Sequence, residues 1–149
     1  MNIRPSTPQV LRDVAEELNR EVMPLLSDST DQVRLHMIMA VLSQCAVRAD
    51  TEIALMKQET ATYTDYGSAV ATATGRADVQ ALVDAIPRSE DLTLDAVLAE
   101  YTGASEAFAS ALEAALAAGD ADLITRGEEL LQVRIANEQL MAGVATAGR

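Results

Sequence analysis

Few side chains in this sequence belong to the types that do chemistry. There is one histidine, His36, one cysteine, Cys45, and one lysine, Lys57. One histidine and one cysteine offer little from which to build a zinc or haem site. A di-iron bundle needs Glu-x-x-His on paired helices, and the residue three before His36 is Val33. Phosphate-cradling loops of the G-x-x-x-x-G-K or G-x-G-x-x-G kind are missing, as is a G-x-S-x-G nucleophile elbow. No catalytic residue, metal ligand or cofactor-binding residue is therefore expected.

Carboxylates remain. Helical pyrophosphohydrolases hold magnesium with paired E-x-x-E and E-x-x-D motifs. Here Asp13-x-x-Glu16 is the nearest element, and no second motif matches it. Glu52 and Glu59 are seven residues apart, two helical turns on one side, and Arg48 precedes Glu52 by four. Arg48, Glu52 and Glu59 could form a polar pocket for a cationic or hydrogen-bonding ligand. The plainer reading is a solvated helix face, since charges on helices are usually exposed. Asn137 falls in register with Leu130, Val133 and Leu140. A buried amide must find partners or cost about 1–3 kcal/mol. It would either pin helix register or bind a ligand.

These groups must be carried by helices. The chain has 149 residues, 49% of them hydrophobic and only 3% aromatic. A core poor in rings must come from Leu, Val, Ile, Met and Ala, which favour helices over strands. Thr7-Pro8 starts a first helix with Leu11, Val14, Leu18, Val22 and Leu25 at helical spacing, interrupted by Pro24. Thr30 would cap a long second helix to about Thr64, with an apolar stripe of Leu35, Ile38, Leu42, Cys45, Ala49, Ile53 and Met56. Gly67 to Gly75 reads as a connector. Val79, Leu82, Val83 and Ile86 mark a short helix ending at Pro87. Thr93 caps the next, Ala-rich from Ala104 to Ala118 and ended by Gly119. Asp120 caps the last, faced by Leu123, Leu130, Val133, Asn137, Leu140 and Val144. Nothing alternates as a strand does. The expected fold is all-α: one domain over residues 1–149, a bundle of four main helices plus one short helix.

Charge narrows the partners. The 11 basic and 23 acidic residues give −12, which repels nucleic-acid backbones and anionic membranes. Between Asp78 and Asp122 ten carboxylates face one base, Arg88. That segment could meet a basic partner or simply keep an Ala-rich helix pair soluble. The longest apolar run, Met37–Leu42, is far short of a membrane span, which needs about 20 residues. The start carries no apolar signal core, and one cysteine allows no internal disulfide. A cytoplasmic protein is expected.

The stretches over residues 4–26 and 114–137 resemble a bacterial family of small helical proteins of unknown function. Arg4-Pro5, then Leu11 and Val14, then Glu21-Val22-Met23-Pro24-Leu25-Leu26 resemble its N-terminal pattern. Ala114-Ala115-Leu116-Ala117-Ala118-Gly119-Asp120 and Arg134-Ile135-Ala136-Asn137 resemble its C-terminal one, with Glu138 where the family has proline. Members are often encoded beside aminoglycoside-phosphotransferase-like kinases and acyl-CoA dehydrogenases. The resemblance implies an accessory helical protein working with such a kinase or dehydrogenase, and it carries over no functional residue.

Three functions follow as expectations. The first is a non-enzymatic bundle that binds a partner protein and forms a homodimer. Its long helix, apolar on more than one side, would present Met37, Val41 and Leu55 to a second copy. The second is a small-molecule-binding bundle with a pocket lined by Met37, Met39 and Met56. The third is a magnesium-dependent carboxylate enzyme.

Overall fold

A computed structural model describes residues 5–142. All regular structure among them is helical: α1 (Thr7–Glu17), α2 (Ser29–Thr74), α3 (Ala77–Asp84), α4 (Leu94–Ala118) and α5 (Ala121–Met141). The chain is an all-α protein, as its periodicities require. No helix of the described residues is long and apolar enough to cross a membrane.

Two compact units divide it. Unit 1 comprises residues up to Glu52 together with those from Glu138 onward; unit 2 is Ile53–Asn137.

In unit 1, α1 follows Ser6 and carries Pro8 in its first turn, where a missing N–H costs nothing. Pro24 does end this helical segment, but gradually. The turns widen to π geometry over Leu18–Val22 and tighten to a 3-10 turn at Met23–Leu25. The cap of α2 is Asp28 rather than the expected Thr30. Its Oδ1 accepts the N–H groups of Thr30 at 2.7 Å and Asp31 at 3.2 Å. Those two bonds, Thr30 first, hold the Asp28 carboxyl below its ordinary range. The expected apolar stripe of α2 is only partly buried. Leu35 is inside, but Ile38, Cys45 and Ala49 are exposed.

In unit 2, α2 continues to Thr74, ten residues past its expected end, and the connector read over Gly67–Gly75 is helix. Gly67 is not a break. It is buried against α3, where an added Cβ would lie 2.8 Å from Val83 Cγ2. The Ser68, Thr72 and Thr74 hydroxyls donate back to the carbonyls of Thr64, Ser68 and Val70. Such bonding keeps hydroxyl residues compatible with a helix interior. The true stop is Gly75, at φ +69°, a left-handed conformation that glycine adopts without strain. Gly119, at φ +68°, ends α4 in the same way, as expected from its position. Asp120 then caps α5 by accepting Leu123 N–H at 3.1 Å.

A second correction concerns rings. Four aromatics are few, but they gather in one place. Tyr63 stacks on Phe108 with centroids 4.5 Å apart, Tyr66 meets the same ring at 5.3 Å, and Tyr101 lies 6.4 Å from Tyr63. Around them pack Val70, Val79, Val83 and the alanines 104, 107, 111, 114 and 115 of α4. The Ala-rich face lets neighbours approach closely, so bulky rings and small residues fill the core together. The inward side of α5 also differs from the expected face. Leu123, Ile124, Leu130 and Leu131 pack on the core, while Val133 and Leu140 are about half exposed. Val144 lies outside the described residues.

Candidate functional site

Glu59 and Asn137 meet within unit 2. They are 78 residues apart in sequence, yet Asn137 Nδ2 donates to Glu59 Oε1 at 2.6 Å. Glu59 is not on a solvated face: it is only 5% exposed. Its other oxygen, Oε2, accepts the hydroxyls of Tyr101 at 2.8 Å and Tyr63 at 3.3 Å. One buried carboxylate from α2 thus ties α4 through Tyr101 and α5 through Asn137. Three donors offset the desolvation that burial of a charge entails. Burial first, then the Glu59 charge and its hydrogen bond, hold the hydroxyls of Tyr63 and Tyr101 protonated above the ordinary tyrosine range. Arg134, one turn before Asn137 on α5, pulls both the other way. Tyr101, Arg134 and Asn137 are half-buried, so this cluster lies close to the surface.

Arg48 and Glu52 do not join it. They form an ion pair with each other on α2 in unit 1, and Glu52 holds the Arg48 guanidinium more firmly protonated. They border a shallow cavity of about 350 Å³ with Gln44, Glu138, Met141 and Ala142. Gln44 Nε2 closes one side by donating to the Ala142 carbonyl at 2.7 Å.

A larger groove of about 540 Å³ lies in unit 2, between α2, the segment after α3 and the start of α4. Its frame is a ring of polar bonds that sequence reasoning missed. Lys57 Nζ donates to Glu100 Oε2 at 2.7 Å and to the Ser89 carbonyl at 3.2 Å. Ser89 N–H donates to Glu100 Oε1 at 2.5 Å. Glu100 is 5% exposed. The Lys57 bond, followed by the Ser89 N–H, holds its carboxyl below the ordinary range. The signal available beforehand was small: a lone lysine 43 residues before a carboxylate on an otherwise apolar turn of α4.

Met37, Met39 and Met56 line none of these cavities. Met37 is 65% exposed, Met39 is half-buried and Met56 is buried. His36 is exposed, with Nδ1 beside the Gln32 carbonyl. Among the described residues no three His, Cys, Asp or Glu side chains converge as a metal ion would require. What the two unit 2 clusters show is carboxylates held in fixed geometry, Glu59 by two tyrosine hydroxyls and an amide and Glu100 by the Lys57 ammonium and the Ser89 N–H. No family model, curated protein or solved structure matches this chain.

Proposed function

We propose that this chain is a non-enzymatic helical protein that acts by binding other protein chains, the first of them a second copy of itself. The supporting observation is how little of unit 1 is covered. Among its described residues the buried apolar ones are Pro8, Ala15, Leu35 and Ala46, most of them small. Val10, Val14, Leu25, Val33, Met37, Ile38, Val41 and Leu140 all stand exposed, Met37 at 65% and Val41 at 56%. Val33, Met37 and Val41 recur every four residues, one row along α2. From Leu35 to Val47 the helix carries no formally charged side chain. In a chain of net charge −12, such an interval is where two copies can meet without repulsion. Leu55, expected on the same strip, is half-buried and is left out of the contact. The resemblance to proteins encoded beside kinases and acyl-CoA dehydrogenases supports an accessory role with one of those enzymes.

Sedimentation equilibrium at micromolar concentration tests the self-association. A dimer is expected, and Val41→Glu should shift it toward monomer, because an unpaired charge buried at an interface is costly. A single species of 15.8 kDa would overturn the reading.

A further inference from the structure

In a chain with 23 acidic residues, a cation should not lack a carboxylate. Among the described residues, Arg12, Arg20, Arg34, Arg48, Lys57 and Arg76 each pair with one. Arg126 lies over the Tyr66 ring at 5.8 Å, and Arg134 is engaged as well. Arg88 alone among the described arginines and lysines has no such interaction, and it lines the large groove of unit 2. A guanidinium offers a planar fork of donors that matches a carboxylate or phosphate in two parallel hydrogen bonds.

The groove holds this residue in position. Ser89, its neighbour, is bonded through both N–H and C=O to the Glu100–Lys57 pair. The backbone that carries Arg88 on one side and Glu90 on the other is therefore fixed by a clamp anchored on the buried Glu100. Lys57 uses two of its three N–H donors there. Thr60, also bordering the groove, has a buried hydroxyl with no partner. Buried hydroxyls normally find one.

Charge decides the ligand class. Lys57 and Arg88 stand against Asp65, Glu90 and Glu100 along the groove, so its balance is negative. A phosphate dianion would meet net repulsion. A single carboxylate accompanied by a positive group would not. The volume of about 540 Å³ falls in the range of small-molecule sites, roughly 300–1,000 Å³.

We propose that this groove binds a small zwitterion, its carboxylate held by Arg88 and its ammonium facing Asp65 and Glu90, with the carbon chain against Ile86. Titration calorimetry on the full-length protein with four probes tests it: 5-aminovalerate, valerate, pentylamine and inorganic phosphate. The zwitterion should bind saturably, and about tenfold or more tighter than either singly charged analogue. Arg88→Gln should weaken it about tenfold to a hundredfold, the scale of a charged hydrogen-bonded pair. Arg88→Lys should recover only part, since a point charge cannot form the fork. Arg88 is exposed, so neither variant should move the thermal midpoint, which separates lost binding from lost fold. Any one of three results would overturn the proposal: no saturable binding of 5-aminovalerate at tens of millimolar, equal or tighter binding of phosphate or valerate, or an Arg88→Gln protein that binds as the parent does.

Discussion

Asn137 is the sharpest test of the Glu59 cluster. Its amide donates to a carboxylate that is 5% exposed, at 2.6 Å. A hydrogen bond to a charged group is worth about 1.5–3 kcal/mol. Asn137 is itself half-buried, and water can reach the vacated position, so Asn137→Ala should cost about 2 kcal/mol. Asn137→Asp is more telling. It keeps the shape and sets a second carboxylate against Glu59, with charge centres about 4 Å apart. At an effective dielectric near 20 that repulsion is about 4 kcal/mol. Two such groups share one proton, so the pair's folded-state pKa is raised above that of the unfolded chain. The sign follows: the Asp variant holds its stability below the ordinary carboxylate range and loses it as the pH rises through the raised value. Urea unfolding followed by circular dichroism, at pH 7 and near pH 4, measures both effects. The deficit of the Asp variant against the parent should be largest at pH 7 and shrink near pH 4. A variant as stable as the parent at pH 7 would show that Asn137 does not touch Glu59.

Tyrosine ionisation offers a second test. All three tyrosines are held above their ordinary pKa, chiefly by burial. Absorbance at 295 nm should therefore show none of them titrating near pH 10; they should ionise together as the fold is lost. Raised pKa values mean that the tyrosines' contribution is intact below about 10, the unfolded value, and lost above it. An early, reversible one-tyrosine step would contradict this. Two glycines of unit 2 should behave oppositely. At Gly127 a Cβ would come within 2.6 Å of Leu112 Cδ1 and 2.7 Å of the Tyr66 hydroxyl oxygen, so Gly127→Ala should lower the melting temperature, overpacking costing about 1–3 kcal/mol. At Gly103 the nearest atom is Pro87 Cδ at 3.4 Å, so Gly103→Ala should raise it through better helix propensity, by up to about 1 kcal/mol.

The helices were legible in the sequence because their period is a local property. Their ends were legible where a local residue makes them: Gly119 and Asp120 act as their types suggest. The end of α2 is not legible in the sequence, because Gly67 has a tertiary role. Its missing side chain admits Val83, and nothing nearby in sequence announces that. Asn137 was singled out by its register, and the structure pairs it with a carboxylate. Glu59 looked like one more charge on a helix face. Its burial follows from Tyr63, Tyr101 and Asn137 converging from three helices, a relation no linear spacing encodes. Arg48 and Glu52, four residues apart, pair as local neighbours do. The pairing of Lys57 with Glu100 is not legible for the same reason as the partners of Glu59, the two residues being 43 apart in sequence.

The clamp on Ser89 has a kinetic consequence. The segment from Pro87 to Thr93 is almost wholly exposed, so apolar burial does little to hold it down. Its attachment runs through Ser89, whose carbonyl accepts from Lys57 and whose N–H donates to the carboxylate of Glu100. The Ser89 amide proton, pointing at Glu100 Oε1, should exchange with solvent far more slowly than those of Arg88 and Glu90 on either side. Its exchange then reports opening of this segment without unfolding of the core. Because Glu100 is held below its ordinary range, that protection is present above pH 4.5 and fades as the pH falls through the depressed value. A stretch that looks like any surface loop thereby has one of its two latching bonds set by a proton equilibrium on Glu100.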